Sequence, residues 1–354
     1  MNVLFVVPYP VNQAASQRFR VEQWLPALQA QGINYRLAPF WRKKEWEVLY
    51  QPGHTLHKVW GFGLGMLRRL WLLGQLAGYD YVFVHREATP LGSPWFEWVV
   101  TYIFRKKLLY DFDDAIWLPN TTDGNKAIAK YKHPQKVAAI CRWSYKVSCG
   151  NHFLQAYAQR YNRAAVYLPT CLDAAKYQLS ANRQHAPRVV IGWTGSHSTL
   201  PYLALITPVL QQLEQKYDFT FLVIADQIPA LPLRSLTFLP WREETELEDL
   251  RQIDIGLMPL PDNEWARGKC AFKALQYMAL GIPAVVSAVG ANLVAVPDVE
   301  AGYTCRTPEE WYAHLEQLLL QPERRLRMGQ KGQAWVAQHY SLLAHREAFL
   351  QLFT

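Results

Sequence analysis

Short unbroken apolar runs alternate along the whole chain with stretches in which apolar positions return every three or four residues. In the first half, NVLFVV (2–7), YVFVH (81–85), KLLYDF (107–112) and AVYLP (165–169) read as strands, because continuous apolar runs of this length suit strands covered on both faces. SQRFRVEQWLPALQAQG (16–32) reads as a helix capped by Ser16 and stopped at Gly32. The second half repeats the alternation: RVVIGWTG (188–195), a helix near 199–216, FTFLVIAD (219–226), LTFLPW (236–241), a helix near 243–252, DIGLMPL (254–260), a helix from near Gly268 to Gly281, and PAVVS (283–287). Between the halves, TCLDAAKYQLSANRQHAP (170–187) is polar, ends on Pro187 and lacks a core period, so it reads as an interdomain connection. Alternating strands and helices predict an α/β fold of parallel sheets with helices on both faces. Two such series in succession predict two Rossmann-like domains, with boundaries at 1–175 and 186–335. Ligands of such sheets bind beyond the carboxyl ends of the strands. The loops that follow strands therefore carry the candidate chemistry.

Length and composition agree with this picture. A chain of 354 residues exceeds one ordinary core, and a half-hydrophobic, 14% aromatic composition predicts packed globular structure. Charge adds an asymmetry: residues 1–180 hold 22 Lys and Arg against 11 Asp and Glu, whereas residues 181–354 hold 15 against 18. A basic half suits nucleic acid, an anionic membrane or an acidic substrate; dispersed basic residues and the lack of a recognised module argue against nucleic acid. Five scattered cysteines, none in a C-x-x-C pair, disfavour a disulfide framework and a zinc site, and point to reduced thiols in the cytoplasm. MNVLFVVPYP has neither a basic start nor a small-residue cleavage pattern and reads as a first strand, not an export signal. VWGFGLGMLRRLWLLGQLAG (59–78) carries Arg68 and Arg69 at its centre, where each would cost about 3 kcal/mol in a bilayer. It reads as a core helix or as one lying flat at a membrane interface through Trp60, Phe62, Leu67, Leu70 and Trp71.

Six loops after strands stand out. PDNEWARGKCAFKALQYMALGIPAVVS (261–287) sets Arg267, Lys269 and Lys273 around Gly268 at a helix start, with Gln276 on the face of the two lysines; amides and cations together suit a phosphate or diphosphate. WTGSHSTL (193–200) offers Gly195 for close backbone approach and Ser196 for helix capping or phosphate oxygens. Trp241 closes a strand where a base could stack. LLYDFDDAIW (108–117) places Asp111, Asp113 and Asp114 at a strand end, suited to a divalent metal, sugar hydroxyls or acid–base work. VHREATP (84–90) supplies His85, Arg86 and Glu87, and NQAASQRFR (12–20) supplies Arg18 and Arg20, arginine being the residue for bidentate phosphate recognition.

EWARGKCAFKALQYMALGIPAVVSAVGAN (264–292), VYLPTCLD (166–173) and QHYSLLAHREAFLQLF (338–353) together resemble the retaining GT-B glycosyltransferases of family 4. The resemblance implies two Rossmann-like domains facing across a cleft, with residues 336–354 closing back on the first. It further implies a nucleotide-sugar donor on the C-terminal domain, a saccharide or lipid-linked acceptor on the N-terminal one, and transfer with retention, with neither cofactor nor metal required. The family's Glu-x7-Glu positions fall on Gly268 and Gln276, and its His position on Asp113 and Asp114, as in a subgroup of the family. The expected assignment is therefore Lys269, Lys273, Asp113 and Asp114 as catalytic. Gly195, Ser196, Trp241, Arg267, Gly268 and Gln276 are expected at the donor, and Arg18, Arg20, His85, Arg86 and Glu87 at the acceptor. The basic N-terminal half leads to the expectation of peripheral contact with an anionic membrane from the cytoplasmic side. The alternatives are an epimerase or hydrolase of nucleotide sugars and a non-catalytic binding subunit.

Overall fold

The computed structural model describes residues 1–49, 51, 53–118, 133, 135–177 and 188–354. It divides into two compact units, Met1–Cys171 with His345–Thr354, and Leu172–Ala344. Residues 178–187 of the expected interdomain connection lie outside the described residues.

The first unit is built on a parallel sheet of β1 (Asn2–Val7), β2 (Asn34–Pro39), β3 (Tyr81–His85), β4 (Lys107–Phe112), β5 (Lys146–Cys149) and β6 (Ala165–Tyr167), in the order β2-β1-β3-β4-β5-β6. The apolar runs at β1, β3 and β4 lie at the expected positions, and each is buried almost throughout. Two strands escape the apolar signal: β2 is an edge strand, half exposed and polar at Asn34 and Arg36, and β5 is only KVSC. The expected helix over 16–32 is broken into Ala15–Arg20, a 3-10 turn Glu22–Trp24 and Leu25–Ala30, the last carrying Pro26 in its first turn. Ser16 does not cap it; Ala14 occupies that position, and the Ser16 hydroxyl lies 2.9 Å from His85 Nε2. The chain closes on this unit, where Phe349 stacks on Trp24 at 4.6 Å and Phe353 meets Tyr81 at 5.7 Å.

The second unit carries β7 (Val189–Gly195), β8 (Phe219–Ala225), β9 (Leu236–Pro240), β10 (Ile255–Met258), β11 (Ala284–Ser287) and β12 (Gly302–Cys305), ordered β12-β11-β10-β7-β8-β9 and again all parallel. Its core gathers Ile191, Trp193, Leu210, Phe221, Ile255 and Val285 between sheet and helices. The expected helix near 199–216 is a 3-10 segment Leu200–Leu205 followed by Thr207–Leu213, each opened by a proline. The expected helix from Gly268 is likewise two pieces, Glu264–Arg267 and Phe272–Ala279, separated by Ala271 at φ 55°.

The arginine-bearing stretch forms a helix over Thr55–Leu73 that is neither wholly core nor wholly interfacial. Arg69 is fully buried, and its guanidinium donates to three backbone carbonyls: Val7 at 2.9 Å, Ala38 at 2.9 Å and Ala88 at 2.7 Å. It thereby ties together the ends of β1 and β2 and the loop after β3. Arg68 donates to Glu45 and to the Phe40 carbonyl. Among the described residues no helix is long and apolar enough to cross a membrane. Arg69→Met keeps the volume and removes every donor, leaving buried acceptors short of partners at about 1–3 kcal/mol for each one left unpaired. It is expected to lower stability by at least 3 kcal/mol in chemical denaturation, and a loss below 1 kcal/mol would contradict this role.

Candidate functional site

In a doubly wound sheet the ligand crevice opens where the strand order reverses, because neighbouring crossovers there leave to opposite faces. The reversal in the second unit lies between β7 and β10, and in the first between β1 and β3. Both places are rich in the residues singled out from the sequence.

In the second unit the loops after β7 and β10 flank the reversal. Lys273, in the first turn of Phe272–Ala279, sets its ammonium 5.2 Å from the ring centre of Trp193, a β7 residue, and Lys269 lies 5.0 Å from the ring of Trp265. Gly195 is required by this packing: a Cβ there would fall 2.4 Å from the Trp193 ring and 2.8 Å from Thr199 Oγ1. The helix is seated by Tyr277, whose hydroxyl accepts from Thr194 N–H at 3.0 Å and donates to the Leu257 carbonyl at 3.3 Å. Burial pushes the Tyr277 phenol well up, so it stays a neutral donor. Arg267 is exposed and ion-paired with Asp262 at 2.8 Å. Gly268 is buried beneath it.

The turn after β11 closes on the same loop. Gly290 holds φ +55°, and a Cβ on it would lie 2.9 Å from both Cα and the carbonyl oxygen of Arg267. Leu260 N–H donates to Ser287 Oγ at 2.8 Å, joining the ends of β10 and β11. Gln276 is buried, not open at the loop, and its amide donates to Tyr177 Oη and to Glu246 Oε1, each at 3.3 Å. Ser196 is exposed and within 2.8 Å of Ser198 Oγ, and its carbonyl accepts from Thr199 N–H at 2.9 Å, so the loop opens a 3-10 turn and not an α-helix. His197 pairs with Asp226 across the ends of β7 and β8. Trp241 is half-buried at the end of β9, with its backbone N–H donating to the Ala225 carbonyl at 2.9 Å.

In the first unit a buried polar cluster sits at the reversal. His85, fully buried at the end of β3, places Nδ1 2.8 Å from Asp111 Oδ2 and Nε2 2.9 Å from Ser16 Oγ. Arg20, expected at the acceptor, is committed inside the unit: its guanidinium holds Asp111, the Leu168 carbonyl and Ser148 Oγ. The three carboxylates therefore diverge. Asp111 faces Arg20 and His85, while Asp113 and Asp114 both receive Arg86, at 2.7 and 2.6 Å. Among the described residues no three His, Cys, Asp or Glu side chains converge as a metal-holding group. Arg86 sits at φ +60°, a left-handed backbone that costs a non-glycine residue about 1–2 kcal/mol, and its N–H donates to the Asp111 carbonyl at 2.7 Å. Glu87 pairs with Lys136. Arg18 is half-buried with its guanidinium 5.2 Å from the Phe19 ring.

Electrostatics follow from these contacts. Burial by itself would raise the Asp113 carboxyl, but Arg86, His85 and a hydrogen bond from Ser16 outweigh it and hold the group well below the carboxylate range. Asp111 is lowered likewise, burial being overcome by Arg20 and His85. Burial raises the Tyr9 phenol against the opposing pull of Arg86.

The sequence pattern gave no sign of Ser16 as a partner of His85, of Trp193 and Trp265 as seats for the lysines, or of Tyr177 and Glu246 as the company of Gln276. The one available signal was that Trp193 and Gly195 fall at a strand end.

Residues 188–321, all within the second unit, match the family model described as glycosyl transferases group 1. No curated protein matches the chain by sequence. Solved structures match it over its whole length. Sucrose-phosphate synthase from Thermosynechococcus elongatus is 15% identical with a TM-score of 0.74, covering 100% of this chain and 98% of that one. HepE from Anabaena, in complex with UDP-glucose, is 14% identical with a TM-score of 0.69, covering 100% and 99%. The catalytic domain of starch synthase IV from Arabidopsis thaliana, bound to ADP and acarbose, is 11% identical with a TM-score of 0.67, covering 100% and 98%. The chain has the GT-B fold.

Two outcomes follow. Gly290→Ala, strained by its backbone angle and by contact with Arg267, is expected to cost about 2 kcal/mol in denaturation; an unchanged midpoint would show that the turn does not pack as described. Because the folded Asp111 and Asp113 carboxyls lie below the unfolded value of about 3.9, their stabilisation is complete above that pH and lost as pH falls through the lowered folded values. Denaturation measured at successive pH values should therefore show stability falling below about pH 4 and a shallower fall in Asp113→Asn; identical slopes in wild type and variant would contradict the assignment.

Proposed function

We propose that the chain is a glycosyltransferase that moves a sugar from a nucleotide-sugar donor to a hydroxyl of a saccharide acceptor with retention at the anomeric carbon. The observation that carries the reading is Lys273 over the ring of Trp193 beside Gly195 at the strand reversal of the unit that matches glycosyl transferases group 1, with Lys269 over Trp265 in the loop just before it. Two ammonium groups beside a glycine-lined loop suit the diphosphate of a sugar nucleotide. HepE and starch synthase IV, of the same fold, were solved with UDP-glucose and with ADP and acarbose.

The chemistry follows from charge. As the glycosidic bond to the diphosphate breaks, negative charge develops on the leaving oxygen, and Lys269 and Lys273, seated on the rings of Trp265 and the buried Trp193, stabilise it. These cations supply charge that a divalent metal would otherwise bring, so turnover is expected to persist in chelator, with no cofactor beyond the donor itself. Arg267, released from Asp262, is a third cation for the donor, while Gly268 and Ser196 supply close backbone approach and a hydroxyl. Trp241 is the surface for the base. Gln276 acts from beneath, through Tyr177 and Glu246.

On the first unit, Asp113 and Asp114, held by Arg86, orient hydroxyls of the acceptor. The Asp113 carboxylate stays ionised and holds a proton poorly, so the departing phosphate takes the proton from the incoming hydroxyl on the same face of the sugar. Arg18 and Glu87 are further groups for the acceptor, and His85 and Arg20 position the strand ends. The acceptor belongs to a cell-surface glycan or a lipid-linked saccharide, met at the cytoplasmic side of an anionic membrane.

A thermal-shift screen of UDP-, GDP-, ADP- and dTDP-sugars tests the donor site, since a ligand at one hundred times its dissociation constant stabilises by about 2.7 kcal/mol. With the donor identified, Lys269→Ala and Lys273→Ala are each expected to lower kcat by about 10²- to 10³-fold with the fold intact. Normal turnover in both would remove the assignment. Asp113→Asn should lower kcat/KM, and proton NMR of the product should show the donor's anomeric configuration. Consumption of donor without an acceptor would favour a hydrolase.

A further inference from the structure

We infer that the outer face of the helix Thr55–Leu73 is a docking surface for an anionic lipid headgroup layer, with the helix lying flat in the interface. The inference deepens the proposal of a membrane-presented acceptor and rests on that reading only for its purpose, since the docking geometry stands by itself.

The helix is two-faced in a way its central arginines conceal in sequence. Arg69 turns inward and is fully buried, and Arg68 is drawn to Glu45 and the Phe40 carbonyl. The opposite side presents Leu56, Val59, Trp60, Leu67, Leu70 and Trp71, each 52% to 84% exposed. These positions recur at three- and four-residue steps, with Gly63 and Gly74 completing the row, so they form one continuous stripe. Phe62, expected to join them, is half-buried against Phe40 at 5.6 Å and does not. Monomeric surfaces seldom expose so contiguous an apolar patch.

Charge selects the occupant. From Val48 to Tyr79 the sequence contains no Asp or Glu, while cations rim the stripe. Lys58 stands near its first turns, the Arg36 guanidinium lies 5.1 Å from the ring of Trp71, and Lys43 and Lys44 are exposed on the preceding helix Lys43–Leu49. The crossovers from β2 to β3 and from β3 to β4 run in the same direction across the sheet, so their right-handed sense places the segment Trp95–Ile103 on the same face as this helix. Trp98, Tyr102 and Ile103 are exposed there, with exposed Arg105 just beyond. Lys106 Nζ donates to the Ala77 carbonyl at 3.2 Å and ties that segment to the end of the helical region. Tryptophan, tyrosine and leucine flanked by lysine and arginine, with Glu45 neutralised by Arg68 and Glu47 the one exposed carboxylate on the helix Lys43–Leu49, is the chemistry of an interfacial helix. The stripe offers almost no hydrogen-bonding groups to a protein partner, whereas a fluid headgroup layer asks for none.

Co-sedimentation of the full chain with phosphatidylcholine vesicles containing about one-third phosphatidylglycerol tests the surface, since anionic headgroups attract such a rim. Wild type should partition to these vesicles at low salt and much less to phosphatidylcholine alone. The triple variant Trp60→Ser, Leu67→Ser, Trp71→Ser should bind at least about a hundredfold more weakly, the three side chains entering the interface only in part. Leu67→Ser alone, on the fully outward side, should weaken binding measurably without altering the melting temperature. Absence of vesicle binding in wild type, or equal binding by the triple variant, would overturn the inference. A lipid-free dimer in sedimentation velocity that the triple variant dissolves would also do so, because the stripe would then belong to a second copy. Nucleotide-sugar thermal shift, read in solution on wild type and variant, reports separately on the transferase reading: its failure with vesicle binding intact would sink that proposal and leave this one standing.

Discussion

Two buried guanidinium groups hold the carboxyl edge of the first unit's sheet. Arg69 binds the carbonyls of Val7, Ala38 and Ala88, and Arg20 binds Asp111, Ser148 and the Leu168 carbonyl. Between them they reach five of the six strands directly or at the residue just beyond, and the sixth, β3, through the loop that follows it. Parallel strands end with carbonyls and amides that no neighbouring strand satisfies once the loops diverge, and a buried unpaired carbonyl is costly. A guanidinium, with five donors fixed in a plane and a charge it does not give up, can serve several such groups at once.

This edge is also where the candidate chemistry of the first unit stands. His85, Arg86, Asp113 and Asp114 emerge from strands whose ends are pinned, so their geometry is set before any ligand arrives. The strained backbone at Arg86 persists because its N–H, its guanidinium and the neighbouring Asp111 are all engaged. The second unit reaches the same end by other means. There the phenol of Tyr277 bridges β7 and β10, and glycines at 195 and 290 allow a ring and a backbone segment to approach closely. A fixed charge secures one sheet edge and close packing the other.

The helix that delivers Arg69 to the sheet also carries the exposed apolar stripe. One amphipathic element thus anchors a charge inward and turns an apolar face outward, and the two orientations are coupled. With the guanidinium anchored inward, the helix cannot rotate its tryptophans into the core.

How much of this was legible before the structure depended on the range of the interaction. Strands β1, β3, β4, β7, β8 and β11 were readable because burial on both faces demands unbroken apolar runs, whereas β2, β5 and β12 were not, being short or polar at an edge. Three expected helices are divided: Pro26 and Pro208 sit in the first turns of the later pieces of two, a local signal that the apolar period masked, and Ala271 interrupts the third with a left-handed backbone. The sequence alone determined that two parallel α/β series follow one another and that polar, cationic loops trail their strands, since both follow from periodicity and from residues adjacent in the chain. Only the tertiary structure decided which cations stay at the loops and which turn inward. Lys269 and Lys273 met aromatic rings while Arg20 and Arg69 met carbonyls and a carboxylate from strands far away in sequence, and a side chain's partners are fixed by strand order, which no local pattern encodes.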